Sequence, residues 1–334
     1  MSLATAPQRQ SLMYKLSKAR KDRPWSSLRA LLSAAQRLRR DDEVSSRGTR
    51  ADAVMTVTVA HVGGRPVRFI PELTGRRAPW DQVLDAASGN GAAIAASATI
   101  RYWNGQASRA STVPLVDLRG LKPDDLLDVR RPVAYQGMSN YVSTLCVPTA
   151  RFGGRSVWCE SFNEQANYRD FLLRWGVAQF ATQMLRMEWV LAGGIRVHFP
   201  DALALHEDGR VTLIDVTTAK RLEDARAAAI FALTRRTSEA LGWRYELLTE
   251  LTPQRVRNVN ALWAKRAQAP DRASTWRARS AASPDSVQFQ ALASMLGDHG
   301  PAPHGVLYLI ANRWFRGDLD RPLRPESTLW RGRK

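Results

Sequence analysis

Two acidic residues stand inside otherwise apolar stretches near the middle of the chain. Asp201 follows a proline in HFPDALAL (198–205), and Asp215 lies in VTLIDV (211–216). A buried carboxylate is costly unless it is paired or bound to a metal. If the two stretches form a hairpin that is symmetric about Asp208, Asp201 and Asp215 lie opposite each other, with Cβ atoms roughly 5 Å apart.

Two opposed carboxylates are tolerated if a divalent cation lies between them or if one of them stays protonated. Mg²⁺ favours such a site, and Mn²⁺ is a possible substitute. Such a metal can activate water for attack on phosphorus and stabilise the leaving oxygen. The alternative is a pair of solvent-facing acids on a sheet edge. The register decides between them, because a slip of one residue would place the two side chains on opposite faces.

Glu164 is a third candidate ligand, because a helix that begins near Ser161 would carry it towards the same sheet. The spacing of Ser161 and Glu164 is also that of a capping box, which needs no catalytic role. His198 lies three residues before Asp201 in one expected strand, so strand parity places it on the other face, with a structural role.

The elements around these residues follow the order α-β-β-β-α-β and predict a mixed sheet of the α/β (α+β) class. The expected elements are a helix from 161 to about 175, strands at 187–191, 195–205 and 210–218, a helix at 222–241 and a strand from 244.

Four segments are expected along the 334 residues. They are a basic N-terminal arm (1–50) with an amphipathic helix at 26–40, a β-containing region (51–134) with a hairpin around Gly63-Gly64, a central domain (135–252), and a basic C-terminal module (253–334). In the last, helices are expected at 256–267, 286–298 and 305–315, with a polar link after the first, and a small helical or winged-helix-like fold is plausible.

The net charge of +18 is distributed unevenly. Residues 158–250 carry 11 basic and 13 acidic side chains, whereas residues 1–50 carry 12 and 4. Basic flanks around a near-neutral core favour the interpretation that the chain binds nucleic acid. The alternative is that the positive charge only keeps the chain soluble. Trp276 and Trp330 lie in basic stretches and could stack on bases, although ordinary surface or core positions are the simpler interpretation.

No run of eighteen apolar residues is present, so no membrane partner is expected. The two cysteines have no metal-ligand spacing and indicate no disulfide framework. A cytoplasmic, nucleoid-associated protein fits these features.

Several short motifs follow one another in a recognisable order. They are WCESFNE (158–164), Gln183 just before a strand, HFPD (198–201), GRVTLIDV (209–216), LGWRYELLTE (241–250) and a closing segment at 307–330. Together they resemble the TnsA-like endonuclease subunits of heteromeric transposases, a branch of the PD-(D/E)xK, restriction-endonuclease-like nucleases.

The resemblance implies a restriction-endonuclease-like αβββαβ core and a metal-dependent DNA endonuclease that cuts double-stranded DNA at transposon ends. It also implies two partners, a DDE-type transposase subunit and an ATPase regulator. Carried over to this chain, the metal ligands would be Glu164, Asp201 and Asp215, and Gln183 would belong to the same site.

The chain departs from the family pattern at two positions. Met184 replaces a proline, and Thr217 stands where the family has its catalytic lysine. Lys220, the only lysine between residues 122 and 265, is the expected substitute, with Arg221 as a second cation. The alternative is that both simply begin the next helix and face solvent.

Two rival functions follow from this departure. One is a nuclease-fold subunit that has lost its chemistry and serves as a DNA-binding or scaffolding protein. The other is a stand-alone restriction or defence nuclease.

Overall fold

A computed structural model describes residues 60–62, 65–67, 77–89, 98–104, 111–114, 123, 126–127, 142–147, 155–281, 286–297 and 303–332. They belong to one compact unit that spans Val57–Lys334. The basic arm and its expected helix at 26–40 lie outside the described residues.

The described helices are α1 (Trp80–Ser88), α2 (Phe162–Arg174), α3 (Ala219–Leu222), α4 (Ala225–Ala240), α5 (Pro253–Lys265), α6 (Arg272–Ala281), α7 (Phe289–Met295) and α8 (His304–Ala311). The described strands are β1 (Ala60–Val62), β2 (Arg65–Val67), β3 (Ala98–Asn104), β4 (Ser111–Pro114), β5 (Leu126–Leu127), β6 (Ser143–Val147), β7 (Arg155–Cys159), β8 (Val177–Thr182), β9 (Leu185–Leu191), β10 (Gly194–His198), β11 (Ala202–His206), β12 (Val211–Val216), β13 (Arg244–Leu248), β14 (Ser286–Gln288), β15 (Phe315–Arg316) and β16 (Thr328–Arg331). The fold is mixed α/β, as expected.

A mixed four-stranded sheet in the order β13-β12-β11-β8 forms the centre of the unit. Strands β11 and β12 are antiparallel, and a tight turn joins them in which Gly209 has a φ of +83°. Helix α4 crosses over from β12 to β13, which run parallel. The ladder pairs Ala202 with Ile214, so the expected register is confirmed, and its continuation places Asp201 opposite Asp215.

The predicted strand order was wrong in one respect. The first strand of this sheet is β8, which the sequence pattern did not reveal, and the expected strand at 195–205 is divided into β10 and β11. Strands β9 and β10 form a hairpin in a second sheet, in the order β10-β9-β3-β4. Pro200 lies at the division and has no backbone N–H, so it cannot continue the ladder.

Two apolar clusters cover the two faces of the central sheet. Ala202 and Ile214 pack towards Tyr168 of α2 in one cluster. Leu203 and Leu213 pack with α4, α1 and β9 in the other. Strict alternation along β11 and β12 therefore separates the faces.

The C-terminal segment packs on the first of these clusters. Leu262 of α5, Leu309 of α8 and Leu329 of β16 lie in the same core as α2. Asp170 of α2 accepts a hydrogen bond from Arg255 of α5 at 2.9 Å, which ties the two helices.

Several C-terminal expectations need correction. The polar link contains helix α6, and the expected helices at 286–298 and 305–315 are shorter. The start of the first expected helix is strand β14, and the end of the second is strand β15. Both strands pair with β16 in a small antiparallel sheet. The N-terminal hairpin is confirmed where it is described, with Val62 paired to Arg65 across the two glycines. Among the described helices, none has the length and apolar character needed to cross a bilayer.

Candidate metal-binding site

Asp201 lies at the junction between β10 and β11 and is held from two sides. Its Oδ2 accepts a hydrogen bond from the backbone N–H of Val216 at 2.8 Å. Its Oδ1 accepts one from Nε2 of Gln183 at 3.3 Å. Burial, followed by the negative charge of Asp215, raises the pKa of Asp201 to about 7, which is the response expected of two neighbouring carboxylates.

Asp215 lies near the end of β12 and is almost fully buried, with 1% of its surface exposed. Nε2 of His198 lies 2.9 Å from its Oδ2 and 3.0 Å from its Oδ1. The hydroxyl of Tyr245 on β13 donates to Oδ2 at 2.7 Å. Burial, followed by the charge of Asp215, raises the pKa of Tyr245 well above its ordinary value, so the phenol stays protonated as a donor.

The prediction that His198 lies on the other face of the sheet from the aspartates was wrong, since its imidazole contacts Asp215. Strand parity holds only along an unbroken strand, and Pro200 separates His198 from Asp201. The imidazole stacks on Trp189 with ring centroids 6.5 Å apart and meets Phe231 edge-on at 6.2 Å. An H-x-x-D spacing around a proline was the signal available in the sequence.

Gln183 is the first of the two residues between β8 and β9, and its backbone is unusual. Its φ is +53°, a left-handed conformation that residues other than glycine rarely adopt. The conformation lets its backbone N–H donate to the carbonyl of Asp201 at 3.0 Å while its side chain reaches the carboxylate of the same residue. Gln183 is 1% exposed, and its Oε1 has no partner among the described residues.

Thr217 occupies the position of the expected lysine, directly after β12. It is 5% exposed, and its hydroxyl has no hydrogen-bond partner in the described part of the chain. Its backbone is fixed, because its N–H donates to Leu248 at 2.8 Å and its carbonyl accepts from Asn163 at 3.0 Å.

Lys220 and Arg221 lie on α3 and are both exposed. Thr218 caps this helix by accepting from the N–H of Arg221 at 3.2 Å, so the chain turns away from the strand direction after Thr217. No hydrogen bond or ion pair joins the Lys220 side chain to the described residues, including the two aspartates.

Glu164 lies in the first turn of α2, which begins directly after Ser161 as the sequence predicts. Its backbone N–H donates to the hydroxyl of Ser161 at 3.1 Å, and its Oε2 accepts from the backbone N–H of Glu160 at 2.8 Å. Burial, followed by the negative charges of Glu164 and Asp201, raises the pKa of Tyr168 well above its ordinary value. Glu164 therefore stabilises the start of α2, although its side chain accepts from the N–H of Glu160, one residue before the N-cap Ser161, and not from the N-cap N–H as in a standard capping box.

The residues present suit a hard divalent cation such as Mg²⁺. Among the described side chains, no three His, Cys, Asp or Glu residues form a metal-binding group. Mg²⁺ commonly uses only one or two carboxylates, with waters and phosphate oxygens in the other positions. The opposed Asp201 and Asp215 supply two carboxylates, and the unpartnered Oε1 of Gln183 adds a third oxygen beside Asp201.

No protein-family model matches this chain, and no curated protein matches it either. The chemistry of the site is therefore argued from its own residues.

Proposed function

We propose that this chain is a metal-dependent DNA endonuclease with a restriction-endonuclease-like core, working as a TnsA-like subunit of a heteromeric transposase. The observation that carries the proposal is the pair of carboxylates on adjacent strands. The ladder of β11 and β12, extended by one residue, places Asp201 opposite Asp215, and the charge of Asp215 contributes to the raised pKa of Asp201. Two buried acids in this arrangement are costly unless a cation or a proton lies between them.

The site would hold Mg²⁺ or Mn²⁺ through Asp201, Asp215 and the amide oxygen of Gln183. The cation would supply an activated water and neutralise charge on the scissile phosphate. His198 and Tyr245 hold Asp215 in one orientation through bonds of 2.7 to 3.0 Å. The hydroxyl of Thr217 offers a donor and an acceptor to a water, although it brings no positive charge.

The chain offers cations to DNA close to this site. Lys220 and Arg221 are exposed on α3, a few residues beyond Asp215 in the chain, and would contact DNA phosphates. The net charge of +18 supports a large nucleic-acid surface. Transposon ends, a DDE-type transposase subunit and an ATPase regulator remain the proposed substrate and partners, on the strength of the motif order.

One observation favours a second function, a scaffolding subunit without catalysis. The lysine position is filled by Thr217, and Lys220 faces solvent on α3. Both oxygens of Asp215 are engaged by His198, which can replace a metal as the partner of that carboxylate. A protein of this kind would bind DNA and its partners without cutting.

Nicking of supercoiled plasmid separates the two functions. The full chain is incubated with Mg²⁺ or Mn²⁺, with EDTA as the metal-free reference, and compared with Asp215→Asn. Asp208→Asn is a matched control, because Asp208 lies in the exposed turn of the same hairpin. We expect metal-dependent nicking by wild type and Asp208→Asn, and background nicking by Asp215→Asn.

Binding of Mn²⁺ is measured in parallel by calorimetry, because a nuclease that needs its partner binds the metal without nicking the plasmid. Metal binding that Asp215→Asn removes supports the nuclease. If the wild type neither nicks nor binds Mn²⁺ but shifts DNA in a gel, the scaffolding function replaces it.

A further inference from the structure

The small sheet β14-β16-β15 has one buried face and one exposed face. Leu329 is 0% exposed and Phe315 is 3% exposed, and both belong to the core shared with α2. Trp330, the next residue of β16, is 46% exposed on the opposite face. The chain thus presents a large aromatic ring on the outside of a sheet whose inside is already packed.

The neighbours of Trp330 on this outer face are polar or cationic. The register pairs Trp330 with Arg316 of β15 on one side and with Ser286 of β14 on the other. The next cross-strand pair on the same face joins Gln288 and Thr328, and all four neighbours are exposed. Protein–protein interfaces usually have an apolar patch at their centre, and the indole of Trp330 has no apolar neighbour on this face to form one.

The charge around this face is positive and largely uncompensated. The acidic side chains of the same segment are engaged elsewhere, Asp320 by Arg255, Asp318 by Arg321 and Glu326 by Arg324. Arg316 and Arg331 make no ion pair with the described residues. Of these two arginines, Arg316 shares the face of the ring, whereas Arg331 is paired with the buried Phe315 and lies on the other face. The Arg316 guanidinium is therefore available to a negatively charged partner.

We propose that this outer face, formed by Trp330, Arg316, Ser286, Gln288 and Thr328, is a binding surface for unpaired nucleotides of single-stranded DNA. The indole would stack on one base while Arg316 contacts a neighbouring phosphate, the combination used by single-strand binding surfaces. Three strands span about 10 Å, which is room for one or two nucleotides. A duplex cannot bind in this way, because each of its bases is already stacked between neighbouring bases and has no free face for the indole.

The inference uses no residue of the metal-binding site and does not depend on cutting. It is tested with the full chain in EDTA, by fluorescence anisotropy of a labelled oligothymidylate and of a labelled duplex of equal length. The ratio of the two dissociation constants is the readout, because the general positive charge of the chain strengthens binding of both oligonucleotides.

We expect Trp330→Ala to weaken oligothymidylate binding about 10-fold and to leave the duplex nearly unchanged, whereas Trp330→Phe retains a stacking ring and most of the affinity. Arg316→Gln should lower the dependence of affinity on salt by about one phosphate contact. Trp276→Ala is the matched control, because Trp276 is 68% exposed on the Arg-containing helix α6.

Three results would overturn the proposal. The first is equal affinity of wild type and Trp330→Ala for oligothymidylate. The second is an equal loss in Trp276→Ala, which would show that any exposed tryptophan contributes. The third is binding of oligouridylate without binding of oligothymidylate, which would assign the surface to RNA.

Discussion

Replacement of Asp201 by asparagine should stabilise the metal-free protein while removing its proposed activity. Asparagine has the same shape as aspartate and no charge, so the burial that raises the pKa of Asp201 to about 7 no longer opposes folding at neutral pH. Its amide oxygen can accept from the N–H of Val216 as the carboxylate does. The amide nitrogen of the new asparagine would then face the side chain of Gln183. A 180° rotation of the Gln183 amide would place its unpartnered Oε1 there, where it can accept a hydrogen bond from the asparagine.

The magnitude follows from the two pKa values. A carboxyl whose pKa rises from 3.8 to about 7 on folding lowers the free energy of unfolding of the chain by up to about 4 kcal/mol above neutral pH. The folded chain keeps this proton at a pH at which the unfolded chain has lost it, so stability falls as the pH rises from about 4 to about 7. The gain from Asp201→Asn should therefore be larger near pH 8 than near pH 5, by about 2 to 3 kcal/mol.

Urea denaturation of both proteins in EDTA at the two pH values measures this difference. Asp208→Asn is the control, because Asp208 is an exposed turn residue whose pKa is lowered by its hydrogen bonds to Arg210. It should show no comparable gain at either pH. If Asp201→Asn is less stable than the wild type near pH 8, the carboxylate is held by favourable partners and the account of a strained acidic pair is wrong.

Three further predictions concern other residues. His198→Ala should reduce metal-dependent nicking about 10- to 100-fold with unchanged DNA affinity, whereas His198→Gln, which keeps a donor near the position of Nε2, should retain most of it, as plasmid nicking and gel shifts would show. Asp170→Ala should lower the free energy of unfolding by about 2 kcal/mol in urea titrations, because Arg255 loses its buried partner and keeps only the more exposed Asp320, and equal midpoints would refute this. Burial raises the pKa of Cys159 to about 12 while Cys146 is exposed, so iodoacetamide near pH 8 should modify only Cys146 in the folded chain, as read by mass spectrometry.

The sequence was sufficient for the central hairpin and insufficient for the sheet around it. Alternation along 202–216 and the turn at Gly209 specify one register, and the structure has it. Strand β8 was missed because its sequence, VAQFAT, does not alternate clearly, and it is buried by contacts with distant parts of the chain. Local patterns also could not show that β9 and β10 join a different sheet, since that depends on pairing with β3.

The same difference between local and long-range contacts decides which residues of the site could be predicted. Asp201 and Asp215 could be paired from their positions alone, because the hairpin is local. The contact of His198 with Asp215 could not, because it forms only after the chain breaks at Pro200 and two sheets come together. Tyr245 is likewise brought to Asp215 by a crossover through α4, which a pattern of residues does not specify.

The pairing of β9 with β3 has a consequence for how the chain can be divided. Strand β9 lies between β10 and β3, and His198, at the end of β10, touches Asp215. A chain shortened to begin at residue 135 would lose β3 and leave β9 with an open edge, which favours aggregation. It would also loosen the hairpin that carries His198. We therefore expect residues 98–104 to support the acidic pair from a distance, and a fragment that begins at residue 135 to be less stable than the full chain.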